Sequence, residues 1–479
     1  MVYSAIVRGQ GVVQGVGFRP FTYRLATQYR LSGYVKNLGD ASVEIRIEGN
    51  KEAISEFIEE LCKKAPRVAQ IKSITIIRTN PLGLKKFEIK SSDFKRNIFG
   101  SVIPPDIGIC DECIKDIFRV GSRWYYYPFT CCAHCGPRFT SIYETPYDRQ
   151  RTNMKDFSLC DECMKEYESP SDRRFHAQGI CCSACGPKMM LLNGDGSLYE
   201  CENPIEEAVK LVDEGYIIAV KGIGGIHLAT KTTEDEPIAE LRRRKKRPNQ
   251  PLAIMSPDIK TIKTYAYVSR AEEIQLKSWR KPIVILRKSE DYYLSELISP
   301  ELNTVGVMLP YTGIHLLLFQ YTNEPALVMT SGNSSGLPMV IENEEAIKKL
   351  KGIADYFLLH NRKIVNRCDD SVIRVIGNET ILIRRSRGYV PLQIETPVSI
   401  GEKLLVALGA ELRNVGALMY KNKCFLTQHI GDTDKLETIQ YLKEAINFLS
   451  KLLKLDFNPS IVVCDLHPTY LTSHLAKEL

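Results

Sequence analysis

The chain has 479 residues, of which 44% are apolar and 25% are charged, and its formal net charge is +7. This length predicts several domains, and the composition excludes a disordered or fibrous protein. The sequence has neither the run of roughly 18–20 apolar residues that a membrane span needs nor, in its first residues, MVYSAIVRGQ, the apolar core of a signal peptide. We therefore expect a cytoplasmic protein without a membrane partner, whose mild charge suits nucleotides and argues only weakly for nucleic acid.

Residues 1–91 alternate strands and helices in the order β-α-β-β-α-β, which predicts a ferredoxin-like domain. The two middle strands are expected to form a hairpin around Gly39 and Asp40. The predicted strands are Tyr3–Arg8, Gly33–Leu38, Ser42–Glu48, Ile71–Ile77 and Lys86–Lys90, and the predicted helices are Arg19–Tyr29 and Lys51–Lys63.

A glycine-rich segment, GVVQGVGFR at 11–19, lies between the first predicted strand and the first predicted helix. Gly15 and Gly17 allow successive backbone N–H groups to turn inward as an anion nest, with a helix N-terminus behind them. Arg19 is able to grip phosphoryl oxygens with two N–H groups. The predicted phosphate cradle comprises Gln14, Gly15, Val16, Gly17 and Phe18.

The string VQGVGFRP, together with GYVKNLGD at 33–40, resembles the acylphosphatase family. The resemblance implies two catalytic residues, Arg19 to bind the phosphoryl group and Asn37 to orient the attacking water. An acyl phosphate has a good leaving group, so its hydrolysis needs positioning and charge neutralisation more than a strong base. The alternative is a ferredoxin-like domain that has lost this activity.

Residues 105–190, which we call the cysteine unit, contain CDEC…CAHCGP and then, 50 residues later, CDEC…CSACGP. Each CxxC turn places two thiolates on one side of a tight loop, and two such pairs about 20 residues apart close a tetrahedral Zn²⁺ site. Cys131 and Cys181 precede the second pair of each repeat and are alternative ligands, but the CxxC spacing favours their neighbours. His134 and His176 are interpreted as non-ligands, because the CxxC pairs already supply four sulfurs to each site. The spacing predicts two structural zinc sites, formed by Cys110, Cys113, Cys132 and Cys135 and by Cys160, Cys163, Cys182 and Cys185.

Residues 201–395 alternate apolar strands with short polar clusters. The clusters include RRRKKRP at 242–248, GVMLPYT at 306–312, VMTSGNSSG at 328–336, RCDDS at 367–371 and RRSRG at 384–388. Small residues allow close approach of the backbone, hydroxyl and amide groups bind phosphate, and arginines supply positive charge. Together these clusters resemble the YrdC-type domain of carbamoyl- and threonylcarbamoyl-adenylate synthases.

That resemblance implies an ATP site, with Mg²⁺ accompanying the ATP, in which a K-x-R-P turn and an S-x-N turn hold the nucleotide. An adenylation site needs cations around the α-phosphate and no covalent nucleophile, because the carbamate itself attacks. Lys231 and Gln250 depart from the family's pattern; neither removes a core phosphate contact, and any effect we expect is on affinity. The implied nucleotide-binding residues are Lys245, Arg247, Ser331, Asn333, Arg384 and Arg387.

Residues 398–479 have the pattern strand, hairpin, helix (Thr438–Leu455) and strand (Ile461–Cys464), which is typical of the start of a sugar-kinase-like or actin-like lobe. The strings GAELRN, QHIGD and DLHP resemble the opening of the carbamoyltransferase domain of the HypF family of hydrogenase-maturation proteins. The four segments follow the order of that family. Since the family continues well beyond this point, we expect a C-terminally truncated chain with an incomplete last lobe.

The predicted fold is therefore multidomain, α+β and α/β, with a ferredoxin-like acylphosphatase domain, a two-zinc domain, a YrdC-like domain and a partial lobe. Membership of the HypF family implies a carbamoyltransferase for the maturation of [NiFe]-hydrogenase. It implies hydrolysis of carbamoyl phosphate, formation of carbamoyl-adenylate from ATP, and transfer of the carbamoyl group to the C-terminal cysteine of a HypE-type acceptor for cyanide-ligand synthesis. The last step is expected to be incomplete in this chain.

Two alternatives belong to other classes of protein. A tRNA-modification enzyme that forms threonylcarbamoyl-adenylate would share the YrdC-like domain, but it has no use for Arg19 and Asn37. A zinc-ribbon RNA-binding protein would use the aromatic and basic residues of the cysteine unit. Those aromatic residues are more simply explained as packing around the metal sites of a small domain, so nucleic acid is not an expected partner.

Overall fold

A computed structural model of the chain describes residues 2–13, 15–38, 42–66, 68–90 and 104–479. The predicted cradle residue Gln14 and the predicted turn at Gly39 and Asp40 lie outside the described residues. The described part forms three sheets, with the cysteine unit between the first and the second. The predicted multidomain mixture of α+β and α/β structure is confirmed.

The first sheet is ferredoxin-like and carries the glycine-rich loop. Its elements are β1 (Tyr3–Val12), α1 (Phe18–Gln28), β2 (Ser32–Asn37), β3 (Ser42–Gly49), α2 (Lys51–Lys63), β4 (Gln70–Arg78) and β5 (Phe87–Ile89). The strand order is β4-β1-β3-β2-β5, and β3 pairs antiparallel with both β1 and β2. Since β1 and β2 therefore run in the same direction, the loop after β1 and the last residue of β2 lie at one edge of the sheet.

The cysteine unit contains two short helices at equivalent places in its repeats, α3 (Asp111–Phe118) and α4 (Asp161–Glu168). Each helix begins directly after the first cysteine of its repeat. Most of the remaining backbone is irregular, and its packing depends on buried aromatic side chains such as Trp124 and Phe129. One cluster of buried apolar side chains runs from the first sheet through this unit into the second sheet.

The second sheet is mixed, with the strand order β15-β14-β10-β11-β9-β12-β8-β7-β13-β6. Strands β12 and β8 pair antiparallel, so Ser331, the last residue of β12, lies opposite His227 near the start of β8. The elements are β6 (Met189–Asn193), α5 (Pro204–Asp213), β7 (Ile218–Lys221), β8 (Ile226–Lys231), α6 (Asp235–Lys245), β9 (Ala253–Met255), α7 (Ile259–Ile262), α8 (Arg270–Lys277), β10 (Ile283–Arg287), β11 (Thr304–Met308), α9 (Gly313–Tyr321), β12 (Leu327–Ser331), α10 (Asn343–Lys349), β13 (Tyr356–His360), β14 (Val372–Ile376) and β15 (Glu379–Arg384).

The third sheet follows, with the strand order β16-β19-β18-β17-β20. Its helix α11 buries Leu442, Ile446 and Leu449 in a cluster that also includes side chains of this sheet. Its elements are β16 (Ile394–Glu395), β17 (Leu404–Ala407), β18 (Ala417–Tyr420), β19 (Lys423–Leu426), α11 (Leu436–Leu453), β20 (Ile461–Val463) and α12 (Leu471–Glu478). In the described part of the chain, the helices are too short or too polar to cross a membrane.

Strand β2 depends on a glycine. Gly33 has φ +146°, and a Cβ atom there would lie 1.9 Å from the carbonyl oxygen of Arg46 on β3. We expect Gly33→Ala to lower the stability of the first domain by ~3 kcal/mol, because either the backbone or the sheet pairing must distort. Thermal and urea unfolding of the full chain measure this.

The matched control is Gly9→Ala on β1, where a Cβ atom would have no neighbour within 4 Å. We expect that substitution to change stability by less than ~1 kcal/mol. Equal losses in the two variants would contradict the steric explanation.

Candidate functional site

The glycine-rich loop forms a tight turn against the cysteine unit. Gly15 and Gly17 have φ +67° and +78°, and Gly17 directly precedes α1. A Cβ atom at Gly17 would lie 2.7 Å from His134 Nδ1, so glycine is required by conformation and by space. The predicted cradle residues Gly15, Val16, Gly17 and Phe18 thus lie together at a helix N-terminus, where backbone N–H groups favour an anion.

Arg19 lies beside this turn in a small cavity that the cysteine unit closes. Its side chain is 12% exposed, and its Nη2 lies 3.5 Å from Asp148 Oδ1. Arg138 and His176 of the cysteine unit also line the cavity. Burial and the charge of Arg19 lower the pKa of His176 to about 4, so this imidazole is neutral at pH 7. The sequence patterns did not predict that the cysteine unit supplies this wall.

Asn37 ends β2 at the same edge of the sheet as the glycine-rich loop. Its side chain is buried, and its Oδ1 has no hydrogen-bond partner among the described residues. Asn37 is not among the described residues that line the small cavity. The structure therefore brings Arg19 to the cavity and places Asn37 at the adjoining strand end.

The eight predicted cysteine ligands form two clusters. The Sγ atoms of Cys132 and Cys135 lie 3.8 Å apart, and the other Sγ pairs recorded in the two clusters lie 3.6–3.7 or 3.8 Å apart. A tetrahedron with Zn–S distances of about 2.3 Å has edges of about 3.8 Å, so both clusters fit Zn²⁺. The clusters comprise Cys110, Cys113, Cys132 and Cys135, and Cys160, Cys163, Cys182 and Cys185.

The neighbouring cysteines Cys131 and Cys181 have partners outside the two clusters. Cys131 Sγ lies 3.1 Å from the carbonyl oxygen of Gly179. Cys181 Sγ accepts a hydrogen bond from the hydroxyl of Tyr127 at 3.7 Å. Among the described residues, the metal-ligating clusters consist of the CxxC sulfurs alone.

Each repeat of the cysteine unit supplies an arginine to the cysteine cluster of the other repeat. Arg173 of the second repeat donates to Cys113 Sγ of the first at 3.1 Å, and Arg123 of the first repeat donates to Cys163 Sγ of the second at 3.5 Å. Arg173 also binds Asp116 at the end of α3. Four thiolates around one Zn²⁺ carry a net charge of about −2, which such N–H groups stabilise. Each metal site therefore depends on a side chain from the other repeat.

A larger cavity of about 510 Å³ lies between the second and third sheets. The structure brings five of the six predicted nucleotide-binding residues to its lining, and Gln250 lines it as well. These five are Lys245, Arg247, Ser331, Asn333 and Arg384.

Lys245 and the turn after β12 are held together. Lys245 ends α6, and its Nζ donates to the carbonyl oxygen of Ser331 at 2.6 Å and to Asn333 Oδ1 at 3.1 Å. Burial, with the charge of Arg247 nearby, lowers the pKa of Lys245 to about 7. Burial also lowers the pKa of Arg247 to about 10, with Arg384 as a second cause. The cavity thus concentrates cationic groups where little solvent shields them.

Arg387 does not reach this cavity, which corrects its predicted contact with phosphate. It is 1% exposed, and its Nε donates to Asp370 Oδ1 at 2.6 Å. Its other N–H groups donate to the carbonyl oxygens of Arg280 and Lys281 at 2.9 and 2.8 Å. Its donors are therefore bound within the fold, to Asp370 and to two carbonyl oxygens. Lys231 also lies away from the cavity lining, with its Nζ 3.0 Å from the carbonyl oxygen of Asp213.

The third sheet supplies part of the wall of the large cavity, through Arg413, His429 and Asp432. Burial, and then the charge of Arg384, lowers the pKa of His429 to about 4. These residues lie in the strings AELRN and QHIGD, which were assigned to a separate domain. Only the packing of the third sheet against the second shows that they share a cavity with Lys245.

Comparisons with known proteins show which protein families these units match. The HypF finger family matches residues 109–142 and 159–192, and the HypF Kae1-like domain family matches residues 401–479. The chain belongs, over the residues that it spans, to the HypF family. The acylphosphatase family matches residues 3–89, and the Sua5/YciO/YrdC family, described as telomere recombination, matches residues 210–386. The predicted family is confirmed, and the HypF fingers support two zinc sites.

The similarity to HypF extends along the whole chain. A probable carbamoyltransferase HypF of Methanocaldococcus jannaschii is 49% identical over 99% of this chain and 61% of its own length. The crystal structure of a full-length HypF in a phosphate- and nucleotide-bound form is 40% identical, with a TM-score of 0.94 over 100% of this chain and 62% of that one. HypF of T. kodakarensis is 48% identical, with a TM-score of 0.90 over 99% of this chain and 60% of that one. The chain thus spans about three fifths of the length of these HypF proteins.

The exchanged arginines give a testable prediction for metal retention. We expect Arg173→Leu to release Zn²⁺ from the Cys110 cluster to a coloured chelator about tenfold faster, because it loses a charge-assisted hydrogen bond to Cys113 worth ~1.5 kcal/mol.

Arg119→Leu is the control, because Arg119 also pairs with Asp116, at 3.6 Å, yet is 69% exposed. It should release zinc at the unaltered rate. Equal release from the wild type and Arg173→Leu would contradict the role of the thiolate contact.

Proposed function

We propose that this chain carries the first two reactions of a carbamoyltransferase that serves [NiFe]-hydrogenase maturation. It hydrolyses carbamoyl phosphate to carbamate and phosphate, and it joins carbamate to ATP as carbamoyl-adenylate. The observation that carries the proposal is that an anion-binding loop with Arg19 and a cation-lined cavity with Lys245 and Arg247 are joined through one cysteine unit. We propose domains at 1–91, 105–190, 201–395 and 398–479.

In the first reaction the backbone N–H groups of the loop and the guanidinium of Arg19 neutralise the phosphoryl oxygens. The Oδ1 of Asn37, which lacks a partner among the described residues, is available to accept a hydrogen bond from the attacking water. The water oxygen forms a bond to phosphorus as the bond to the carbamoyl oxygen breaks, and carbamate leaves with the electron pair.

In the second reaction a carbamate oxygen attacks the α-phosphorus of ATP, and the bond to pyrophosphate breaks. Lys245, Arg247 and Arg384 balance the negative charge, and Ser331 and Asn333 shape the turn that faces the phosphates. The ATP enters with its Mg²⁺. Arg387 acts indirectly, because its Nε–H holds Asp370 in place.

Carbamate decomposes in water, so it must be protected between the two sites. A third small cavity, lined by Pro137 of the cysteine unit and by Tyr311 and Thr312 of the connection between β11 and α9, lies between the two units. It supports the proposal that the cysteine unit shields carbamate as well as holding the two sites in fixed relation.

The third reaction would pass the carbamoyl group to the C-terminal cysteine of a HypE-type acceptor in the cytoplasm. Residues 398–479 are proposed to contribute to it, since they match the HypF Kae1-like domain family and form part of the wall of the large cavity. A tRNA-modification function is not favoured, because it leaves the Arg19 cavity without a role.

Substitution of Arg19 separates the two reactions. We expect Arg19→Ala to lower phosphate release from carbamoyl phosphate by about a thousandfold, because the other guanidinium that lines the cavity, that of Arg138, is already bound to backbone carbonyl oxygens. Pyrophosphate release from ATP should also disappear with carbamoyl phosphate as the source, yet persist with added ammonium carbamate.

The control is Arg8→Ala on β1, since Arg8 is half exposed and pairs with Glu44. It should leave both reactions unchanged. Equal pyrophosphate release by Arg19→Ala and the wild type from carbamoyl phosphate would contradict the coupling of the two sites.

The lowered pKa of Lys245 predicts how ATP binding depends on pH. Its pKa of about 7 leaves it largely neutral at pH 8, and bound phosphates would raise that pKa by favouring the ammonium form. ATP binding should therefore take up a proton at pH 8, and affinity should fall by up to about tenfold per unit as pH rises above 7. Calorimetry in buffers of different ionisation enthalpy measures the uptake.

In Lys245→Met the proton uptake should vanish, whereas Lys260→Met, at an exposed residue of α7, should retain it. If the wild type bound ATP without proton uptake at pH 8, the assigned role of Lys245 would be wrong.

A further inference from the structure

The wall that the cysteine unit gives to the small cavity contains one polar ring without a hydrogen bond. The polar side chains of this unit that line the cavity are Arg138, Tyr147, His176 and Gln178. Arg138, Tyr147 and Gln178 each donate a hydrogen bond to a backbone carbonyl oxygen, at 2.7, 3.0 and 2.8 Å. The ring nitrogens of His176 have no hydrogen bond to a described residue. His176 is therefore the side chain of this wall that is free to bind a ligand.

The ring of His176 is accessible and fixed in position. The residue is partly exposed, and its ring nitrogens are not among the fully buried atoms without partners, which include both ring nitrogens of His315. The ring packs against Phe175 and Tyr167, with centroids 4.5 and 5.2 Å away. Gln178 Nε2 also donates to the backbone carbonyl oxygen of His176. These contacts hold the ring at the cavity wall before a ligand binds.

The first repeat of the cysteine unit has tyrosine at the equivalent position. Tyr126 lies 50 residues before His176, and both have φ +52°. Their backbone N–H groups donate to the carbonyl oxygens of Ile117 and Tyr167, at the ends of α3 and α4. The left-handed conformation thus belongs to the fold of the repeat. Tyr126 packs against Tyr321 of α9, with ring centroids 6.1 Å apart, whereas the repeat that faces the glycine-rich loop has an imidazole.

His176 is uncharged at neutral pH. Burial, and then the charge of Arg19, lowers the pKa of His176 to about 4, although Asp148 opposes this. A neutral imidazole has one N–H donor and one acceptor nitrogen. The negative phosphoryl group of an acyl phosphate suits the N–H groups of the loop and the guanidinium of Arg19. A neutral donor on the wall of the cysteine unit suits the uncharged acyl end of the same substrate.

We propose that His176 donates a hydrogen bond to the carbonyl oxygen of carbamoyl phosphate while the loop and Arg19 hold the phosphoryl group. This inference rests on the proposed first reaction. As water forms its bond to phosphorus and the bond to the carbamoyl oxygen breaks, the released electron pair spreads over both oxygens of carbamate. The N–H group of His176 stabilises the charge on one of these oxygens and keeps its proton. His176 is thus a catalytic residue that lies outside the ferredoxin-like domain.

Three substitutions at one position test the hydrogen bond. His176→Phe keeps an aromatic ring, which the fold accepts at Tyr126, and removes both ring nitrogens. The amides of asparagine and glutamine reach about as far as Nδ1 and Nε2, so His176→Asn and His176→Gln each restore a donor near one ring nitrogen. The matched control is Tyr126→Phe, which has the same backbone conformation in the first repeat.

The test uses the full chain and measures phosphate release from carbamoyl phosphate. We expect His176→Phe to lower kcat/KM about a hundredfold, and at least one of the two amide variants to be about tenfold more active than His176→Phe. Inhibition by inorganic phosphate should stay within about twofold of wild type, because the loop and Arg19 bind the phosphoryl group. Tyr126→Phe should hydrolyse carbamoyl phosphate at the wild-type rate. Circular dichroism establishes that each variant is folded.

Unchanged hydrolysis by His176→Phe, or equal losses in all three His176 variants, would overturn the proposal. Phosphate inhibition that weakens in proportion to the lost rate would also overturn it, because His176 would then contact the phosphoryl group or only support the loop. A wild type that releases no phosphate from carbamoyl phosphate would instead overturn the proposed first reaction, and this inference with it.

Discussion

One buried guanidinium, that of Arg138, holds the glycine-rich loop against the first cysteine cluster. Its Nε donates to the carbonyl oxygen of Gly15 at 2.7 Å, and its Nη atoms donate to those of Cys135 and Ala133 at 3.0 and 3.1 Å. Asp106 accepts a hydrogen bond from the backbone N–H of Arg138 at 2.7 Å and so fixes the backbone that carries Arg138. Because the same side chain contacts the glycine-rich loop and the CxxC turn, the shape of the small cavity depends on that turn being formed.

The basic side chains that line the large cavity repel one another when no ligand is bound. Lys245, Arg247 and Arg384 approach one another with few acidic partners, of which Asp369 is the nearest to Arg384, at 2.5 Å. Burying like charges destabilises a fold unless something compensates, and a polyphosphate supplies that compensation. Burial is the main cause of the lowered pKa values of Lys245 and Arg247, and the charges of Arg247 and Arg384 respectively lower them further. A site preorganised in this way interacts strongly with charge that develops during a reaction.

Local patterns predicted local structure well. The cysteine spacing identified both metal clusters, and the glycine positions identified the turn before α1, because both depend on residues close in sequence. Contacts between distant segments were not predictable in this way. His176 at the first cavity and His429 at the second come from other units, and nothing in their own neighbourhoods signals a shared site. Arg387 failed for the same reason: its position in a basic cluster resembles that of Arg384, and only the fold shows that it faces Asp370.

The exchanged arginines of the cysteine unit give its internal duplication a consequence for evolution. After a gene segment is duplicated, each copy is ordinarily free to drift, and one of them often decays. Here Arg123 and Arg173 each stabilise thiolates that belong to the other copy. A substitution that destabilises one repeat therefore also weakens the metal site of the other repeat. This dependence favours the retention of both repeats together.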